Sequence, residues 1–443
     1  MFIPDYVNHC IQRLEAAGFA AYAVGGCVRD HLLGRTPLDY DLCTSATPEQ
    51  MQQIFADHRL VLAGEKHGTV TVICEDKPIE ITTFRTEGGY ADHRHPDWVR
   101  YETTIEADLS RRDFTVNAMA YSPTRGLADP FGGQADLQKG ILRAVGQPQK
   151  RFTEDALRIL RGVRFAVRFS LTPEEETLQT MFQLAPLMDN LARERVFSEL
   201  CKLLPLIDAA QLQLYAPILT QVIAELAPMV GFDQCSPHHA YDVYTHTALV
   251  VEKTPPELAL RWAALLHDVG KCAVFYKDED GRGHFPEHAK VGSEIADKVL
   301  LRLKAPTALR QQVVELVQLH MLPIGPDKRL LRRRIHQLGF DRLNQLLVLM
   351  QADSASKGVP SESAGEFKQI RTLLEQIKAE EGCLSLKDLA INGHDLMSLG
   401  LSGKQVGSCL NYLLQQILDE NLVNDKTALL NAAAVYKNEE ICQ

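Results

Sequence analysis

Two aspartates one residue apart, Asp39-Tyr40-Asp41, are the first chemistry the sequence offers. In an extended segment, residues i and i+2 project to one face, so both carboxylates would point together while Tyr40 points away. Paired carboxylates repel unless a cation lies between them. Mg2+ suits them, being a hard ion held by one or two carboxylates plus substrate phosphates. Two such ions could activate an attacking hydroxyl and neutralise a departing pyrophosphate. The same pair fits a solvated loop equally well, so the neighbouring segments decide. Upstream, the apolar run Ala21-Tyr22-Ala23-Val24 enters Gly25-Gly26 and then a helical stretch carrying Arg29 and Asp30. Glycines there let a ligand approach the main chain, the helix-start amides would face an anion, and Arg29 adds a fork for phosphate oxygens. A plain tight turn is the competing explanation.

Two further segments carry arginine beside acid. In Arg111-Arg112-Asp113, Arg112 could reach a phosphate or ribose with Asp113 as a hydrogen-bond acceptor, or the two could form a structural pair. In Glu154-Asp155-Ala156-Leu157-Arg158 through Phe165, a continuous helix would step Asp155, Arg158, Arg161 and Arg164 round one half of the cylinder as a polar ridge. Leu157, Ile159, Leu160 and Val163 would take the other half. An Asp–Arg pair offers acceptors and donors complementary to a base edge. A charged, solvated helix face is the alternative.

The elements that must position these groups change character along the chain. Up to about residue 150, short apolar runs (Ala20-Tyr22-Val24, Thr69-Val72-Ile73, Ile79-Ile81) predict strands. Beyond Phe152 the periodicity is helical almost throughout, with breaks near Pro148, at Gly231–Pro237 and at Ser354–Ala364. We expect a multidomain α+β protein: a head of mixed sheet and helices (1–148), a helical neck (149–232), a third domain (233–358) and a helical tail (359–443). The net charge of −10 argues against nucleic acid, yet five arginines lie between Arg151 and Arg168, and Lys328–Arg334 holds five basic residues in seven. Ten cysteines without a C-x-x-C pair predict reduced thiols and neither a disulfide frame nor a zinc site. No apolar run approaches the roughly 18 residues of a membrane span, and no secretion signal opens the chain, so no membrane partner and a cytoplasmic location are expected.

Together the segments Gly25-Gly26-x-x-Arg29-Asp30, Asp39-x-Asp41, Arg111-Arg112-Asp113, Glu154-Asp155-x-x-Arg158 and Glu194-Arg195-Val196, ordered over about 170 residues, resemble the class II tRNA nucleotidyltransferase (CCA-adding enzyme) and poly(A) polymerase superfamily. Its head is of the DNA polymerase β type. The resemblance implies that Asp39 and Asp41 hold the catalytic Mg2+ ions. Gly26 and Arg29 would contact the triphosphate, Arg112 with Asp113 the ribose, and Asp155 with Arg158 the base of CTP or ATP. Arg161 and Arg164 would support nucleotide binding. The partners implied are tRNA, CTP and ATP. The segment from Phe84-Arg85-Thr86-Glu87 through Arg94-His95-Pro96 to Glu106 looks like the family's flexible loop, which CC-adding members lack. A long basic C-terminal extension, expected of a bacterial poly(A) polymerase, is not seen. CCA addition is therefore expected, with A addition and poly(A) synthesis as alternatives.

A second cluster lies further on: six of the fifteen histidines fall between His238 and His288. The apolar helix Trp262–Leu266 ends in His267-Asp268, followed by Gly270 and Lys271. This resembles the HD phosphohydrolase superfamily, whose H…HD…D pattern maps to His246, His267, Asp268 and Asp353. A transition metal such as Mn, Ni or Fe suits that donor set, and the resemblance implies phosphodiesterase or phosphatase chemistry. His284, His288 and His320 could hold a second ion or bind substrate phosphate. An HD phosphohydrolase with an RNA-binding head is the reading from another class. The tail, from Leu384-Ser385-Leu386 through Gly400–Gly407, resembles the family's tRNA-binding tail.

Overall fold

The computed structural model describes residues 1, 3–88, 98–359, 363–380 and 382–441. The chain divides into two compact units, 1–227 with 300–305, and 228–299 with 306–443. Strands gather at the start of the first unit: β1 (Ala21–Val24), β2 (Asp41–Thr44), β3 (Arg59–Val61), β4 (Thr69–Cys74), β5 (Lys77–Thr83), β6 (Arg85–Gly88), β7 (Trp98–Tyr101), β8 (Ala120–Ser122) and β9 (Gly126–Ala128). Seven of them form one mixed sheet in the order β3-β4-β5-β2-β1-β8-β9, with β2 parallel to β5 and the other pairs antiparallel. Central β1 is buried along its length, whereas β5 turns Ile79 and Ile81 inward and Glu80 outward. Tyr22, Val24, Phe84, Leu109 and Ala118 share a core beneath the sheet. β6 and β7 make a separate hairpin; Arg94-His95-Pro96, in the segment that joins them, lie outside the described residues.

The rest of the first unit is helical apart from a short parallel pair, Ile141–Leu142 with Thr172–Pro173. The Leu157–Phe169 helix is buried on nearly every side and packs beside the Arg193–Leu203 helix. The second unit is helical too, apart from a short hairpin pairing Tyr276–Lys277 with Gly283–His284. Its last part has its own core, in which Leu413, Leu414, Ile417 and Leu418 meet Leu396 and Leu429. The fold is thus α+β with a sheet-containing head and a largely helical remainder. All nine cysteines among the described residues are free, and no helix of the described residues is long and apolar enough to cross a membrane.

Candidate active site and metal centre

Geometry at the head begins with the turn after β1. Gly25 has φ +75°, and a Cβ added there would lie 2.9 Å from Arg112 Nη1, so only glycine admits both this backbone and the arginine. Its N–H donates to Met119 O (2.9 Å), and the Gly26–Leu32 helix follows at once. Arg29, on that helix, is buried, stacked over the Phe169 ring, and donates to Asn117 Oδ1 (2.5 Å) and Asp30 Oδ1 (2.6 Å).

Asp41 is the first residue of β2 and Asp39 lies in the approach to it, so the pair stands at the strand's edge and not within it. Tyr40 turns inward, as the alternation requires. In register, Asp41 faces Glu80 of β5. Desolvation in the cleft, then the carboxylates of Asp39 and Glu80, push Asp41 up to about 6 against the opposing pull of Arg112. Three acidic groups this near one another outweigh the single opposing charge of Arg112, and their hard oxygen donors fit a divalent cation such as Mg2+. Glu80 was missed in the sequence; the only signal was an acid between two inward isoleucines.

Opposite lies a wall of arginines, each tethered. Fully buried Asp108 accepts from Arg111 Nη2 (2.6 Å) and Arg112 Nη2 (3.2 Å). Asp113 takes both Nε (2.8 Å) and Nη2 (2.7 Å) of Arg161 on one oxygen and Asn117 Nδ2 (3.1 Å) on the other. Burial opposes ionisation of Asp113, but Arg161 and Asn117 outweigh it and bring the carboxyl down to about 2. Arg164 Nε donates to Glu199 (2.5 Å), and Arg158 to Glu154 (2.9 Å) and the Arg111 carbonyl (3.0 Å).

The expected ridge needs correcting. Asp155 is not on the arginine helix: it caps the end of the Pro148–Glu154 helix in extended conformation, and a new helix starts at Leu157. Its carboxylate caps Leu157 N (3.1 Å) and accepts from Arg195 Nη2 (2.8 Å). Nor is the face solvated, since Arg158 and Arg164 are buried. The break arises because the Asp155 side chain competes for the amides that a continuous helix would use.

All of Gly26, Arg29, Asp39, Asp41, Arg112, Asp113, Asp155, Arg158, Arg161 and Arg164 line one cleft of about 480 Å3. Arg195 lines it as well. Two buried donors there, Arg112 Nε and Arg195 Nη1, have no hydrogen-bond partner among the described residues, which leaves N–H groups for an anionic ligand. The second basic cluster does not behave this way. On the Lys328–Leu338 helix, Lys328 and Arg332 pair with Glu380, Arg332 also with Glu420, and Arg333 with Asp419. Those residues fasten elements of the second unit together.

The histidine cluster is assembled from helix ends. The Val243–Lys253 helix, capped by the Asp242 side chain, holds His246 in its first turn; His267 closes the Leu258–Leu266 helix, which is buried from Ala259 onward; Asp353 sits in the last turn of Phe340–Ala355. His246 Nε2 lies 2.9 Å from Asp353 Oδ1 and 3.5 Å from Asp268 Oδ2, and His267 Nε2 is 3.1 Å from the same Asp268 oxygen. His246 Nε2, His267 Nε2 and Asp268 Oδ2 are buried and have no hydrogen bond among the described residues, though Lys271 Nζ stands 2.8 Å from Asp268 Oδ2. His246 Nδ1 faces the Ser356 carbonyl (3.2 Å) and His267 Nδ1 that of Ala264 (2.8 Å), which turns each Nε2 lone pair inward. Orphaned donor atoms of this kind fit a divalent metal. His284 is drawn away: it pairs with Asp278 (2.6 Å) and stacks on Tyr276. Half-buried His239, whose ring meets His246 edge-on, was missed in the sequence.

Comparison with known proteins agrees with this architecture. Residues 21–143 match the Poly A polymerase head domain family, 170–211 the family described as Probable RNA and SrmB-binding site of polymerase A, and 287–433 the tRNA nucleotidyltransferase domain 2 family. The CCA-adding enzyme of Streptococcus mutans is 32% identical over 95% of this chain and 94% of its own length. That of Streptococcus suis is 48% identical over 44% of this chain and 48% of its own. The structure of the Bacillus stearothermophilus CCA-adding enzyme in complex with CTP superposes with a TM-score of 0.74 at 27% identity, covering 100% of both chains. A polymerase-type head carrying a carboxylate pair places the protein among the nucleotidyltransferases. More narrowly, the chain belongs to the CCA-adding enzyme family.

Proposed function

We propose that this chain adds CCA to the 3′ ends of tRNA from CTP and ATP, with Asp39 and Asp41 as the catalytic carboxylates. The observation that carries the proposal is the single cleft in which that pair faces an arginine wall with unused donors. Divalent ions, Mg2+ by donor type, would neutralise phosphate charge there and acidify the attacking hydroxyl. Arg29 and Arg112 bind the triphosphate and ribose from the Gly25-Gly26 side. Arg161, locked on Asp113, keeps the wall rigid. Asp155 and Arg158, each fixed by a partner, present acceptor and donor groups to the base in place of a template. The terminal 3′ oxygen bonds to the α-phosphorus as the α–β bridge breaks, pyrophosphate takes the electron pair, and the hydroxyl proton passes to solvent.

The test uses a tRNA transcript ending at the discriminator base, with labelled CTP and ATP. A tail of C, C and A is expected, with extension lowered at least about 1,000-fold by Asp39→Ala or Asp41→Ala. A tail of A alone, or full extension by either variant, overturns the proposal.

The convergence of His246, His267, Asp268 and Asp353 supports a second site in the same chain, a transition-metal centre for phosphoester hydrolysis. Hydrolysis of a phosphoester panel with Mn2+ or Ni2+, lost in His267→Ala, is the expected outcome; no hydrolysis with any divalent metal refutes the activity.

A further inference from the structure

Phe165 and Phe169, one turn apart on the Leu157–Phe169 helix, stack with ring centroids 6.0 Å apart and planes inclined by 26°. Phe165 also lines the head cleft. Five guanidiniums gather on this pair of rings. Arg164 Cζ lies 4.3 Å, Arg161 Cζ 5.2 Å and Arg29 Cζ 5.4 Å from the Phe165 centroid. Arg29 is also 4.1 Å from the Phe169 centroid, with Arg35 at 5.2 Å and Arg168 at 5.3 Å. Arg29 and Arg35 come from the Gly26–Leu32 helix and the residues just after it, the other three from the ring-bearing helix itself.

Like charges at this density repel, and carboxylates answer only part of the repulsion. Arg29, Arg161 and Arg164 pair with Asp30, Asp113 and Glu199, whereas Arg35 and Arg168 make no ion pair among the described residues. Burial lowers the pKa of Arg29 against the pull of Asp30, and the nearby charge of Arg168 acts in the same direction as burial. The ring faces supply further attraction, because an aromatic quadrupole is negative above and below its plane. A ring differs from a carboxylate in what it leaves unused. Asp113 consumes Nε and Nη2 of Arg161 as hydrogen bonds; a ring attracts the charge and leaves the N–H donors for another acceptor. Both rings are buried, which strengthens the attraction by keeping water off it. Fully buried Phe114, set against Phe165 at 83° with centroids 5.9 Å apart, fixes the plane of that ring.

We propose that Phe165 and Phe169 are positioning residues for nucleotide binding: their π faces hold the crowded guanidiniums in place and leave N–H donors for a triphosphate. The inference rests on the reading of this cleft as the nucleotide site. An aliphatic side chain of similar bulk would keep the packing and lose the attraction.

The experiment replaces Phe165 in the full-length protein by mono-, di- and trifluorophenylalanine, which keep the ring and weaken its negative face in steps. CTP binding is measured by calorimetry with Mg2+ and without tRNA, so the readout needs no turnover. The Kd for CTP is expected to rise stepwise, reaching about 10-fold with the trifluoro ring. Phe165→Leu should show a similar loss, and Phe165→Tyr should bind within about threefold of the parent protein. The same series at Phe169 reads the second ring. A ring that served packing alone would leave the fluorinated series level, because its shape barely changes. A level Kd across either series therefore overturns the role of that ring and leaves the nucleotide site standing. No CTP binding by the parent protein refutes the nucleotide site itself.

Discussion

Asp113 ties its own stretch of the cleft, through Asn117 four residues on, to Arg161 on a helix remote in sequence. Held down to about 2 by Arg161 and Asn117, against an ordinary 3.8, it contributes roughly 2–3 kcal/mol to folding. A depressed carboxylate stabilises fully above its unfolded value and loses that contribution as pH falls from about 4 towards 2. Asp113→Asn is therefore expected to destabilise the first unit by about that amount at pH 7 and by about half of it at pH 3. Urea denaturation at the two pH values measures it, and an equal loss at both would remove the ion pair as the cause. The ten cleft residues of the head and neck were legible because each sits in a short motif whose residue types are unusual together. Their tethers, Asp108, Asn117 and Glu199, were not, because a carboxylate that anchors a guanidinium looks like any other acid until the chain folds.

Among the elements, the strands of the head were readable from the short apolar runs Thr69-Val72-Ile73 and Ile79-Ile81, and the helical remainder from its periodicity. The break after Glu154 was not, because no glycine or proline marks it; a side-chain cap from Asp155 does. Gly270 is the clearest case of an element contact invisible beforehand. The atoms that a Cβ there would strike are backbone and cannot rotate away. Gly270→Ala is expected to cost about 1–3 kcal/mol or more in the second unit, and to weaken metal loading at the proposed histidine centre because the His288–Arg302 helix must shift. Calorimetry with metal analysis checks this; an unchanged transition and metal content would contradict the packing.

For the whole molecule, the net charge of −10 conceals a local reversal. The head cleft is lined by eight arginines against five aspartates, so attraction for phosphate is a property of that surface and not of the sum. The two centres share no residue and lie in different units. Their losses are expected to be separable: Asp39→Ala should abolish nucleotide addition and keep the metal of the histidine centre, and His246→Ala should do the reverse. Paired incorporation and metal assays test this, and loss of both functions in either variant would refute independence.

What the sequence determined by itself was the set of reactive groups and, Asp39 and Asp155 apart, the class of element carrying them, because motif composition and periodicity are local properties. Tertiary structure alone decided which groups face one another. It placed Glu80 beside Asp41 through strand register, separated Asp155 from the arginine helix, withdrew His284 to Asp278, and set His288 and His320 within 3.6 and 3.9 Å of Asp268 Oδ1. Each of these depends on segments remote in the chain meeting within a few ångströms, and burial then makes their charges and lone pairs count.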